Sequence, residues 1–310
     1  MKKNIILFMF LTIVPYLMCW FFGLFFEQIK IGQGDYQIEN HKMHKNVLIE
    51  IQGLYKHIDV EEYVLGVLPG VLPADYDDEM LKVQAILIRT NLLKEMEEKG
   101  TADAQDLSYT YLTVDEQIEL FGKRNYERER KRFEKAVVST SGLVLRKEGN
   151  LIMALYHEVS IGKTVSGKEI LGEDISYLQS VDSGKDVEAK HYMTVLEYKY
   201  KQLQELAGAK KEEETVEVKI EESTEHGYVT KASVSGTIYS GEEMAKLFQL
   251  PSTNFYVEKL EDGVRFVCLG KGNGLGLSQY GGNRMALEGK TYEEIIRYYY
   301  KNVSIEECQK

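Results

Sequence analysis

Cysteine, tryptophan and proline are scarce in this sequence of 310 residues, which holds three Cys, one Trp and four Pro. Cys19, Cys268 and Cys308 form no C-x-x-C pair, which excludes a zinc knuckle and a thioredoxin-type redox site. A Cys268–Cys308 bridge and two idle buried thiols both fit the spacing. Low-complexity tracts are absent, and 44% hydrophobic against 28% charged residues excludes global disorder. Positive charge is also short, at 38 Lys and Arg against 49 Asp and Glu, a net of −11. Such an acidic body repels polyanions, so no nucleic acid is expected as a partner, and charge alone would not hold the chain to anionic lipid. No metal-ligand cluster stands out, since His41 and His44 fall in a polar, non-periodic stretch. No metal and no cofactor is expected.

What is present begins with an apolar run of 22 residues from Ile5 to Phe26, preceded by Lys2 and Lys3. That length crosses a hydrocarbon core as a helix, and the lysines favour an inside N-terminus. A cleaved signal would have a shorter apolar stretch and a small-x-small site. Here the far end reads Cys19-Trp20-Phe21-Phe22. The expectation is an uncleaved transmembrane anchor over residues 1–28, a stalk over 29–46 and one extracytoplasmic domain over 47–310, in a single-pass protein of the cell membrane.

Within that domain, Val47 to Gln52 alternates as a strand, and Asp59 is placed to cap a helix. A longer helix starts near Asp77, whose neighbours Asp78 and Glu79 suit a first turn, and stops at Gly100. Helical material follows over 115–138, where the charged stretch Lys123 to Lys135 reads as a solvated face. Strands are expected at Leu143 to Arg146 and Leu151 to Tyr156, then a polar loop from His157 to Gly184, and a hairpin edge or loop over 208–225. The final third predicts strands at Tyr228 to Val234, Asn254 to Glu258 and Val264 to Leu269. Its helices fall at Gly241 to Phe248, Ser278 to Leu287 and Tyr292 to Tyr300. Mixed elements without a βαβ repeat predict an α+β fold, its helices and strands forming a cleft.

Two stretches carry more than secondary structure. The first is Tyr63-Val-Leu-Gly66-Val-Leu-Pro-Gly-Val71-Leu-Pro73, continuing through Glu79, Lys82, Gln84, Arg89 and Thr90. The second is Gly270-Lys-Gly272-Asn273-Gly274-Leu-Gly276-Leu-Ser278-Gln279-Tyr280-Gly281, followed by Tyr292 to Tyr299. The alternating glycines fail G-x-G-x-x-G, because Leu275 stands at the third glycine. They let the backbone approach either a flat ligand or a neighbouring loop. Together these stretches resemble the opening and closing signatures of the stage II sporulation protein D (SpoIID) / LytB amidase-enhancer family, with Y-x-x-G-V-x-x-x-E-M-P at one end and G-x-G-x-G-H-G-V-G-M-S-Q-Y-G-A at the other. Ser240 to Phe255 and the turn of Tyr177 with Ser180 to Ser183 match intermediate segments, so the likeness covers residues 47 to 305 in order.

The resemblance implies lytic transglycosylase chemistry on peptidoglycan glycan strands, in which one carboxyl protonates the departing oxygen and then deprotonates the sugar's attacking hydroxyl. The family's glutamate falls on Val71, which carries no proton. The closing histidine falls on Asn273, and the H-S-T-S-G-G loop reads His157-Glu158-Val159-Ser160-Ile161-Gly162. Glu158 is the fallback acid. By the same resemblance, His157, Ser160, Asp182, Asn273, Ser278, Gln279 and Tyr280 form a glycan-binding cleft, while Gln84 and Arg89 stabilise the helix behind it. The tyrosines of the last helix are expected to pack the core. Amidase-enhancing relatives act with an amidase and a membrane partner. Three functions follow: a catalytically degenerate module binding glycan, a partner amidase or both; an active transglycosylase using Glu158; and a structural protein that keeps only the fold.

Overall fold

A computed structural model of the chain describes residues 41–207 and 216–308. The expected anchor, stalk residues 29–40 and part of the 208–225 stretch lie outside the described residues. Among the described residues no helix is long and apolar enough to cross a membrane.

β1 (Asn46–Ile51) and β2 (Leu54–Asp59) form a hairpin whose two-residue loop, Gln52-Gly53, takes positive φ at both positions (52° and 76°). That conformation matches the right-handed twist of the paired strands. Asp59 then caps α1 (Val60–Val71), its carboxylate accepting from Glu61 N at 2.9 Å. The same carboxylate accepts from Met43 N and His44 N, and Met43 is buried. Residues 41–46, read as stalk, are therefore tied to the domain.

Asp77 caps α2 (Asp78–Lys99), which ends where Gly100 turns left-handed and donates to Met96 O. From Met80 to Leu93 this helix is buried nearly all round, and it packs against α1 and the later helices as the axis of the first hydrophobic core. Two helices follow, α3 (Val114–Phe121) and α4 (Tyr126–Ser139), broken at Gly122. The charged stretch there is not simply a solvated face. Glu129, Arg130 and Glu134 are buried, and Arg132 donates to Ala74 O, Tyr76 O and Asp78. It thereby fixes the loop between α1 and α2. β3 (Leu143–Lys147) pairs with β4 (Asn150–Leu151). The expected strand Leu151 to Tyr156 is broken, because Asn91 holds both Ala154 N and Ala154 O, and pairing resumes only at β5 (Tyr156–His157).

The polar loop contains a short helix, α5 (Gly167–Leu171). A second hydrophobic core then forms around Leu203, Phe248, Phe255 and Phe266. Its elements are β6 (Met193–Lys199), α6 (Tyr200–Ala207), β7 (Val218–Ser223), β8 (Val229–Val234), β9 (Thr237–Ser240), α7 (Gly241–Leu247), β10 (Phe255–Lys259) and β11 (Gly263–Leu269). They make two antiparallel sheets of strand order β7-β8-β9 and β10-β11-β6. The chain returns to the first core through β12 (Leu277–Ser278), α8 (Gln279–Leu287), α9 (Tyr292–Tyr299) and β13 (Ser304–Glu307), which pairs with β3. The fold is α+β, as expected. Cys268 and Cys308 are free buried thiols, and burial pushes Cys268 up to about 11.

Candidate functional site

α1 is held close to its neighbours along one face. A Cβ on Gly66 would lie 2.1 Å from Tyr111 Cε2, and Leu112 N donates to Gly66 O at 3.0 Å. The helix ends at Val71, whose carbonyl accepts a hydrogen bond from Gln279 Nε2 at 3.2 Å. The same nitrogen donates to Gln84 Oε1 at 3.1 Å, and both glutamines are buried. Thus Gln84, Gln279 and the backbone of residue 71 form one unit.

The glycine-rich segment threads between the two cores. On one side Lys271 and Val159 exchange backbone hydrogen bonds of 2.7 and 3.1 Å; on the other, Gly272 N donates to Pro251 O and Gly272 O accepts from Thr253 N. A Cβ on Gly276 (φ 71°) would meet Leu155 O at 1.9 Å, and one on Gly272 (φ 107°) would meet His157 Cβ at 2.6 Å. The close approach that these glycines permit is to neighbouring loops.

A cleft of about 560 Å³ opens where these parts meet. Gly70, Val71, His157, Glu158 and Gln279 line one wall, and Glu242, Ala245 and Ser252 of the second core line the other, with Lys271 and Asn273 between. The structure therefore gathers three of the seven residues expected in the cleft, His157, Asn273 and Gln279, together with Val71 at the family's glutamate position and the fallback acid Glu158. His157 is buried, and its Nδ1 lies 3.0 Å from Leu275 O. A carbonyl only accepts, so Nδ1 carries the proton and Nε2 is left with its lone pair. Burial pushes the imidazole below its ordinary value, favouring the neutral ring. Glu158 is exposed and ion-paired to Lys271 Nζ at 2.6 Å. Asn273 Nδ2 donates to Glu242 Oε1 at 3.1 Å. Glu242 lay within the matched Ser240 to Phe255 segment, but nothing in its sequence signals a cleft position. That position depends on how the second core packs against the first.

Ser160, Asp182, Ser278 and Tyr280 lie outside this lining. Ser160 is buried, its N–H bound to Asp186 Oδ2 at 2.7 Å and its hydroxyl accepting from Gly162 N. Ser278 caps α8 through Gly281 N. Asp182 is exposed near the last helix, its carbonyl accepting from Tyr298 OH at 2.7 Å. Tyr280 is half-buried and donates its N–H to Glu158 O at 3.0 Å. Asp186 escaped the sequence reading. It is fully buried and receives both Ser160 N and Ser183 Oγ, tying the histidine loop to the turn after Val181. Tyr299 and Tyr300 pack the core as expected. Arg89 makes a buried fork on Glu61 and also donates to Leu143 O. Among the described residues no group of His, Cys, Asp and Glu is arranged to hold a metal ion.

These features define the class: an α+β protein whose groove is walled by four distant sequence segments, with an apolar side chain ending its first helix. The family model described as Stage II sporulation protein (SpoIID) matches residues 51–146. The stage II sporulation protein D of Bacillus subtilis (strain 168) is 30% identical over 82% of this chain and 76% of its own length. That of Bacillus amyloliquefaciens is 28% identical over the same shares. The amidase enhancer of Bacillus subtilis (strain 168) is 24% identical over 77% of this chain and 40% of its own length. The chain belongs to the stage II sporulation protein D family.

Proposed function

We propose that this chain is a membrane-anchored, extracytoplasmic cell-wall module of its family that binds peptidoglycan glycan strands, a partner amidase or both, without cleaving glycan, in sporulation. The observation that carries this reading is Val71. The groove is open, and its backbone scaffold is held by Gln279, Gln84 and the glycine segment, yet no proton-bearing side chain stands at the end of α1. A general acid–base group contributes about 10²–10⁴-fold, and here one group would serve both half-reactions. The apolar run Ile5 to Phe26 supplies the anchor. The amidase enhancer among the relatives motivates the amidase partner.

The test incubates the full-length protein in detergent with glycan strands stripped of peptides, and separately with purified peptidoglycan. Co-sedimentation without anhydro-sugar products is expected. Products from the wild type would overturn the degenerate reading, and failure to sediment would overturn glycan binding. One observation favours a second reading, turnover by a relocated acid: Glu158 and Glu242 both line the groove. Glu158 is bound to Lys271, however, and Glu242 to Asn273.

A further inference from the structure

The second core carries an open strand edge. β6 is the outermost strand of the sheet β10-β11-β6, and among the described residues no strand pairs with its far side. Gly270 N donates to Tyr192 O at 2.7 Å, and Tyr200 N donates to Asp262 O at 3.1 Å. Antiparallel bonding alternates along a strand, so the even-numbered residues of β6 bond β11, and the peptide groups of Met193, Val195 and Glu197 point outward. Among the described residues none bonds those outward groups. Native edges are blunted by proline, a bulge or charge. β6 keeps unbroken register with neither proline nor bulge. Its charges, Glu197 and Lys199, stand at one end, and Arg265 takes up Glu197 at 2.8 Å.

The outer face of the sheet bears an apolar patch along this edge. The register sets Val195, Val267 and Tyr256 side by side in one row, with Met193 beside Leu269 in the next. Alternation sends Phe255, Phe266 and Cys268 into the second core and leaves these rows outside. Val195 is 48% exposed, Tyr256 46% and Met193 61%. Across the next row Arg265 bridges Glu197 and Glu258, which bounds the patch with paired charge.

We propose that β6 pairs with β6 of a second copy of this chain, antiparallel about a two-fold axis at Val195. The strand's own pattern selects that occupant and that register. An axis at Glu197 would set like carboxylates opposite each other, and one at Leu196 would set Val195 against Glu197 of the other copy. An axis at Val195 places valine against valine and Met193 against the aliphatic stem of Glu197, with the outward peptide groups facing their counterparts. The apolar row then runs unbroken from Tyr256 through Val267 and Val195 into the same residues of the second copy. A foreign strand would have to reproduce that row, which a second copy already carries. The contact is isologous and closes, so neither β6 edge is left free. Pairing over so few residues covers little surface, and the dimer is a weak, concentration-dependent one. The inference rests neither on what the cleft holds nor on the anchor.

The test uses the full-length protein in mild detergent with Cys19→Ser, which leaves only the buried thiols Cys268 and Cys308. Residues opposite each other in a hydrogen-bonded antiparallel pair have Cα atoms about 5.5 Å apart, within disulfide reach. Val195→Cys is therefore expected to give a disulfide-linked dimer under mild oxidation. Met193→Cys and Glu197→Cys should each stay monomeric alone and cross-link to one another when mixed. In sedimentation equilibrium the protein without added cysteines should show a monomer–dimer equilibrium. Val195→Pro should weaken it at least about tenfold, because this proline removes an outward N–H and none that β11 uses. Matched thermal melts establish folding, and if the proline variant melts early, Val195→Lys takes its place with the same expected loss. A monomer at every concentration, no cross-link at position 195, or equal cross-linking of all three cysteine variants alone would overturn the proposal. So would a dimer that neither Val195 variant weakens.

Discussion

The side-chain amide of Gln279 donates to Val71 O at 3.2 Å and to Gln84 Oε1 at 3.1 Å, so the closing motif holds the end of the first helix by its backbone. Gln279→Leu keeps the volume but removes the donor, leaving Gln84 Oε1 and Val71 O without it. Unpaired buried acceptors cost about 1–3 kcal/mol. A melting temperature several degrees lower is expected in thermal unfolding; an unchanged melt would show that the contact contributes nothing.

Because the hold is on the carbonyl, the side chain at 71 is free to change. Val71→Glu places a carboxyl on the cleft wall without removing a hydrogen bond. Stripped glycan strands should yield anhydro-sugar products at least ~10²-fold faster than with wild type. A variant that folds but stays inert would place the obstacle to turnover in the cleft as a whole, not in position 71 alone.

Glu158→Gln separates the two functional readings. Its ion pair with Lys271 is about half exposed, and such pairs contribute about 0–1 kcal/mol. The expected result is a small change in stability and no change in glycan products. A loss of products from an active wild type would assign the acid to Glu158.

Arg89 and Glu61 are both fully buried, joined at 2.9 and 2.6 Å, and Glu61 also accepts from Gly142 N. Arg89→Ala strands that carboxylate and should cost about 3–5 kcal/mol, measured by urea unfolding. Glu61→Leu with Arg89→Met should recover most of the loss, since neither charge then remains.

His157 gives a pH signature. Its folded value is pushed below 6.5 by burial. As pH falls through 6.5 the unfolded chain takes a proton that the folded one resists, so stability drops. The slope is at most about 1.4 kcal/mol per pH unit for one proton. Above pH 7 both states are neutral and this term is flat. His157→Gln should reduce the loss of stability between pH 7 and pH 5, followed by chemical denaturation at each pH.

The helix starts were legible because capping is local: Asp59, Asp77, Ser240 and Thr291 each announce a first turn within four residues. β6 was not legible. Met193 and Val195 alternate as a strand should, yet both face solvent, so the pattern carries no core signal. Val71 could be placed because its register is fixed by neighbours in the chain, whereas Glu242 enters the cleft only through packing of the second core. Ser160 and Asp186 show the converse. The Ser160 hydroxyl in a polar loop reads as a ligand group and Asp186 gives no signal, yet both are buried and together fasten that loop.

The groove lies between two separately packed cores, and the glycine segment is bonded to both. A ligand that touches both walls is then a third brace across the seam. It stabilises the two halves together by RT ln(1 + [L]/Kd), so that regions able to open one at a time in the free protein would melt and exchange their amide hydrogens as one cooperative unit. Under the proposed binding role, that welding of two halves by a bound strand would be a physical output that requires no bond to be cut.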